Sequence, residues 1–155
     1  LQASPGPAPV PGPHPRPATL PDHARACNGV LAHCHALAQL LEIGVGVGER
    51  ADDDDFEKRL GEVRAQVHRL EEDITAQGAT PVAARAGYRW PGRTGTLNEL
   101  RAPWGILEEQ ILTSMGPMVA TSPPDERMEA LGHMDTQALM VRARGRGSTF
   151  FPGWA

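Results

Sequence analysis

Between residues 56 and 74 the apolar positions fall with the spacing 4-3-4-3-4, at Phe56, Leu60, Val63, Val67, Leu70 and Ile74. A helix turns once per 3.6 residues, so these six side chains form one narrow stripe, a heptad seam of the kind that packs against another helix in a coiled coil or bundle. Charged residues fill the positions around it, with Lys58–Glu62 and Arg69–Asp73 spaced i,i+4 to support an exposed outer face. The acids Asp52, Asp53, Asp54 and Asp55 suit the positive end of a helix dipole, and Gly78 suits a C-terminal stop. The same acids lack the spacing and the distal glutamate of a calcium loop.

A softer stripe precedes the seam. Cys27, Leu31, Cys34, Ala38 and Leu41 repeat as 4-3-4-3, with Val30 and Leu37 widening the face. This predicts a helix over about 20–43, capped by Thr19. Gly44, Gly46 and Gly48 each disfavour helix by roughly 1 kcal/mol, so 44–51 reads as the turn of a helical hairpin spanning 20–77. No strand precedes that glycine-rich stretch and no Lys-Ser/Thr follows it, which excludes a phosphate-binding loop.

Residues 79–95 carry Pro81, Gly87, Pro91, Gly92 and Gly95 and read as an irregular loop. A third helix over about 96–118 begins with Thr96 and Glu99 as a capping box and carries Leu97, Leu100, Trp104, Leu107 and Ile111 at 3-4-3-4. Pro103 lies inside this pattern and is expected to kink or split it. A fourth helix over about 125–141 follows Pro123 and Pro124, with Met128, Leu131, Met134 and Ala138 turned inward. The fold class is therefore all-α: a helical hairpin extended to a small three- or four-helix bundle within a domain at 19–141. Residues 1–18 hold seven prolines at alternate positions and read as a disordered tail. Residues 142–155 read as a flexible Arg/Gly tail ending in Phe150, Phe151 and Trp154.

Charge narrows the function classes. The net charge is −4, and residues 51–77 set nine acids against four bases while 78–155 set seven acids against eight arginines. Neither stretch provides the strong positive field of a general nucleic-acid binder. Lys58 is the one lysine beside fourteen arginines, a bias that with the Ala, Gly and Pro content points to a GC-rich bacterial genome. No run of about 18 apolar residues stands out as a membrane span, and no basic-then-apolar leader opens the sequence. The expectation is a cytoplasmic protein with no membrane association.

Candidate chemistry is sparse. Cys27 and Cys34 lie ~10 Å apart along one helix axis and cannot share an ion. His23 with Cys27 is the i,i+4 pair suited to chelation, a weak candidate that needs a further ligand such as His68 or His133. The inward glutamates and Glu-x-x-His motifs of di-iron bundles are absent, as is a Gly-x-Ser-x-Gly elbow. No metal, no cofactor and no enzymatic activity are expected. Arg85, Tyr88, Arg89, Trp90 and Arg93 mix bases with aromatics, a mixture that stacks on nucleobases or serves as a loop pinned by its rings.

Asn98, Glu99, Leu100, Arg101, Ala102, Pro103, Trp104, Gly105 and Ile106, followed by Ile111, resemble the bacterial helix-turn-helix pattern, with Gly105 in the turn. The segment departs from that pattern at Arg101 and Pro103, and Glu108 and Glu109 would set acids against phosphate. Residues 98–103 also resemble the phosphoacceptor box of sensor histidine kinases, with Asn98 where a histidine would stand. The function expected is a non-catalytic protein–protein interaction or regulatory protein, self-associating as a dimer or other homo-oligomer through the 56–74 seam. The alternative is a helix-turn-helix-like transcriptional regulator using 96–115, with Arg85, Arg89, Arg93 and Arg101 as its nucleic-acid contacts.

Overall fold

The structure is a computed structural model that describes residues 20–48, 54–90 and 92–145. The proline-rich segment 1–18, the Thr19 cap, Asp52, Asp53 and the aromatic end of the chain lie outside the described residues. Among the described residues four helices account for the fold: α1 (Leu20–Val47), α2 (Asp54–Ala76), α3 (Leu97–Thr121) and α4 (Arg127–Gly145). They form an all-α four-helix bundle in which α1 packs on both α2 and α3, and α3 packs on α4.

The seam faces the core. Phe56, Leu60, Val63, Leu70 and Ile74 are buried, and Val67 is half-buried at its edge. They pack with Val30, Leu31, Cys34, Leu37, Leu40 and Leu41 of α1 in one core. The stripe is thus covered within the chain, which corrects the expectation that these six residues form a surface for self-association. A hairpin joined by a short connection brings its own partner stripe to the seam before a second copy can.

α1 continues past the anticipated turn to Val47, with Gly48 N–H still donating to Gly44 O at 3.0 Å. Gly44 is required by packing rather than by a bend, because a Cβ there would collide with the Phe56 ring. α1 also reaches the length and composition of a membrane-crossing helix, with a mean hydropathy of 1.4 over the most apolar 18 residues within 22–47. No charge interrupts it between Arg25 and Glu42. In the bundle this apolarity serves two contacts at once, since α2 and α3 both cover it.

α2 ends in a paired carbonyl cap. Gly78 has φ +79°, Ala79 N–H donates to Ile74 O at 3.1 Å, and Gly78 N–H donates to Thr75 O at 2.9 Å. This is the Schellman arrangement, and only glycine takes that φ without strain. α3 begins as expected, with Thr96 Oγ1 accepting from Glu99 N–H at 3.2 Å and donating to the Glu99 carboxylate at 3.0 Å. It is not split at Pro103 and runs unbroken across Pro103 and Pro117. Pro103 is itself buried against the core, which offsets the hydrogen bond it removes.

Phe56 of α2 meets Trp104 of α3 with ring centroids 4.6 Å apart, while His23 of α1 meets Thr121 at the far end of α3. α2 and α3 therefore start at the same end of the bundle, and the chain must travel its length to link them. That is the work of 79–95, which is a crossover rather than a turn. Asn28 holds it to α1 by donating to Thr80 O at 3.1 Å and accepting from Val82 N–H at 2.7 Å, and His35 Nε2 donates to Val82 O at 3.0 Å.

The inward face of α4 differs from the expected one. Met128 is 76% exposed, and Leu131 and Leu139 also face solvent. Ala130, Gln137 and Val141 are buried instead, with Met134 partly buried against the core and Ala138 half-buried. The helix is rotated so that Gln137 reaches a buried carboxylate on α3, and that polar demand outweighs the area its larger apolar residues would bury.

Candidate functional site

Three places concentrate polar chemistry. The first lies at the centre of the bundle. Arg59 Nε donates to Glu108 Oε2 and Arg59 Nη2 to Glu108 Oε1, each at 2.7 Å. Trp104 Nε1 donates to Glu108 Oε2 at 3.1 Å, and Gln137 Nε2 donates to both Glu108 Oε1 (3.0 Å) and Glu108 O (2.8 Å). Gln137 Oε1 in turn accepts from Arg59 at 3.2 Å. Both carboxylate oxygens are met and the pair is neutral as a unit. Burial alone would lower the Arg59 pKa, and the Glu108 carboxylate more than reverses this and raises it, so the guanidinium stays charged. Arg144 stacks its guanidinium 4.0 Å from the Trp104 ring. Bundles that hold two irons use several inward carboxylates at this depth; here one carboxylate is already matched by an arginine, so the cluster is structural.

In the sequence Glu108 stood out only as an acid set against phosphate and Trp104 only as an apolar position, while Arg59 and Gln137 did not stand out. A signal existed. Arg59 lies i+3 from Phe56 and i−4 from Val63, Glu108 lies i+4 from Trp104 and i−3 from Ile111, and Gln137 lies i+3 from Met134 and i−4 from Val141. Each is a polar residue at a core spacing, and three of them on three helices can find one another inside.

The second place is a cleft of about 340 Å³ between the C-terminal half of α2 and the N-terminal half of α4. His23, Cys27, Met115 and Met118 are among its lining residues, together with Asp73, Glu126, Glu129 and His133. The expected His23–Cys27 pair does come together, with Nε2 3.6 Å from Sγ. Cys27 is only 2% exposed, and burial pushes its thiol up to about 11, with the Gln77 side chain partly opposing. Cys34 lies apart in the core, where burial drives its thiol to about 12. No three His, Cys, Asp or Glu side chains among the described residues converge to hold a metal, and His68 is exposed on α2, away from this pair.

The third place is a groove of about 430 Å³ between the crossover segment and the α1–α3 pair. Ala32, Ala36, Pro103 and Leu107 line it, exposed Val82 and Ile106 stand beside them, and Arg85 and Arg89 flank it. Tyr88 and Trp90 pack partly buried against the core with ring centroids 5.7 Å apart, which fixes the segment that carries the arginines. Burial lowers the pKa of His33 on the groove wall.

The arginines proposed as nucleic-acid contacts are all exposed, yet Arg101 stands apart from Arg85 and Arg89. Arg85 and Arg89 line the groove, while Arg101 stands 5.7 Å over the Phe56 ring. Five residues separate Arg101 from Ile106, which sets them about 140° apart around α3. The helix-turn-helix expectation for 96–115 fails on the backbone: the motif needs two helices crossing at a steep angle, and here one continuous helix passes through Gly105. Gly105 faces α4, where an added Cβ would stand in ordinary contact, 3.8 Å from Arg144 Cβ.

No protein-family model matches the chain, and none of the curated proteins matches it. Among solved structures it is similar to the crystal structure of a conserved hypothetical protein, rv2844, from Mycobacterium tuberculosis. The TM-score is 0.71 at 19% identity, over 83% of this chain and 92% of that one. At such identity the likeness is one of fold, the all-α bundle described above.

Proposed function

We propose that this protein is a non-catalytic interaction or regulatory protein that binds a protein partner in the groove flanked by Arg85 and Arg89. The observation that carries the reading is the composition of that groove: exposed Val82 and Ile106 beside two arginines, on a floor of packed helices. A rigid floor costs a partner little ordering entropy on docking. The complementary partner is a segment with an apolar anchor and acidic flanks, which the arginines attract and orient. The partner is expected in the bacterial cytoplasm.

The test uses the tagged protein as bait in a lysate, with quantitative mass spectrometry. One defined protein should be enriched by the wild type, lost with Ile106→Glu and with Arg89→Glu, and retained with Leu139→Ala on the opposite helix. A captured set that is the same for all variants overturns the proposal.

Self-association is a second reading. The outer face of α4 favours it, because Met128, Leu131 and Leu139 are exposed there. Light scattering should then show a dimer that Leu139→Glu dissociates, and a monomer at high micromolar concentration removes this reading.

A further inference from the structure

We propose that the floor of the cleft between α2 and α4 binds a soft monovalent metal ion, Cu(I), through Cys27 Sγ and His23 Nε2, with the thioethers of Met115 and Met118 completing the donor set. The inference is independent of the groove and of any partner.

The hydrogen bonds around His23 fix its tautomer. Thr121 has one hydroxyl hydrogen, and its 2.7 Å contact to Pro117 O uses it. The 3.0 Å contact between Thr121 Oγ1 and His23 Nδ1 must then be donated by the ring. In the neutral ring Nε2 then carries the lone pair, and it faces Cys27. An imidazole whose far nitrogen is tied down in this way is oriented as metal-bound histidines are. With metal–sulfur and metal–nitrogen bonds of about 2.3 and 2.0 Å, a donor separation of 3.6 Å corresponds to an angle of about 110° at the metal. That angle suits three or four donors.

The available further donors decide the metal. Among the described residues no third His, Cys, Asp or Glu converges on this pair, although Asp73, Glu126, Glu129 and His133 line the same cleft; Met115 and Met118 line it as well and are its soft donors. Thiolate and thioether ligands select Cu(I) over the harder divalent ions. Charge agrees. Cu(I) replaces the thiol proton one for one, the Cys27 S–H bond breaking as the sulfur–copper bond forms and the proton passing to solvent. The net charge of the site is the same before and after.

The experiment is anaerobic titration of the full chain with Cu(I) against a chromogenic Cu(I) chelator, with Zn(II) titrated in parallel. The wild type should take up one Cu(I) per chain, release one proton, and develop a sulfur-to-copper band in the near ultraviolet. Cys34→Ala should behave as wild type. Cys27→Ala should lose the band and at least tenfold in affinity. Met115→Leu with Met118→Leu conserves volume and so tests the thioethers in a folded chain, with a similar fall expected. Absence of uptake by the wild type overturns the proposal. So does undiminished affinity in Cys27→Ala or in the Met115→Leu, Met118→Leu chain, or a Zn(II) affinity exceeding that for Cu(I).

Discussion

Helices α2 and α4 pack on different members of the α1–α3 pair, α2 on α1 and α4 on α3, and different forces dominate at the two contacts. α2 lays a row of large apolar side chains against α1, with Phe56, Val63 and Ile74 fully buried. At about 25 cal/mol per Å² of apolar surface removed from water, each such side chain contributes on the order of 2 kcal/mol. α4 buries only Ala130 and Val141 in this way and leaves Met128, Leu131 and Leu139 in water. It is secured by the amide of Gln137, which joins Glu108 and Arg59, and by Arg144 stacked on Trp104. An apolar row holds by area and tolerates small slips. A buried charge cluster holds by geometry, because every partner that moves away leaves a desolvated charge behind.

The largest expected effect breaks the central cluster, in which Arg59 ties α2 to α3 and to α4. Arg59→Ala strips the buried Glu108 carboxylate of its counter-charge and should cost about 3–5 kcal/mol in urea denaturation. Replacing both partners, as Arg59→Met with Glu108→Leu, should recover most of that loss, since two apolar groups leave no uncompensated charge. If the double variant is as unstable as the single, the cluster holds α4 by shape rather than by charge.

On the α2 side, Ile74→Ala should cost about 2–5 kcal/mol by leaving a cavity in the core. Leu139→Ala, an equally apolar position on α4, should stay within about 0.5 kcal/mol because its side chain is 60% exposed. Equal losses in thermal denaturation would mean that the two helices dock alike.

A smaller effect measures how closely α2 is fitted to α1. Gly44→Ala must displace the Phe56 ring and should cost about 1–3 kcal/mol. Gly46→Ala meets nothing within 4 Å and should be neutral or stabilising by up to about 1 kcal/mol.

The smallest effect is a slope with pH. Cys34, between the two attachments, has its thiol raised from 9.0 to about 12 by burial. Below pH 9 the thiol is protonated in folded and unfolded chains alike, and the stability it confers is complete. As pH rises from 9 toward 12 the unfolded chain releases the proton and the folded chain keeps it, so stability falls by on the order of 1 kcal/mol per pH unit. Cys34→Ala should flatten this alkaline slope in denaturation curves taken between pH 8 and 10.5.

Local periodicity was enough to identify the all-α class, the α2 seam, the Thr96 cap and the Gly78 stop, because each depends on residues within a turn or two of one another. It also brought His23 and Cys27 together, since i,i+4 on a helix is a spatial relation. It misjudged Gly44, where the reason for glycine is a ring from another helix, and it misjudged α4, whose orientation answers to Glu108 on α3. The central cluster joins residues 49 and 29 positions apart in sequence, and the groove joins a crossover segment to two helices. The sequence by itself determined which segments are helices and which side of α2 is apolar. The tertiary structure alone decided where the unmatched polar groups go, because a buried charge is tolerated only where another element supplies its partner.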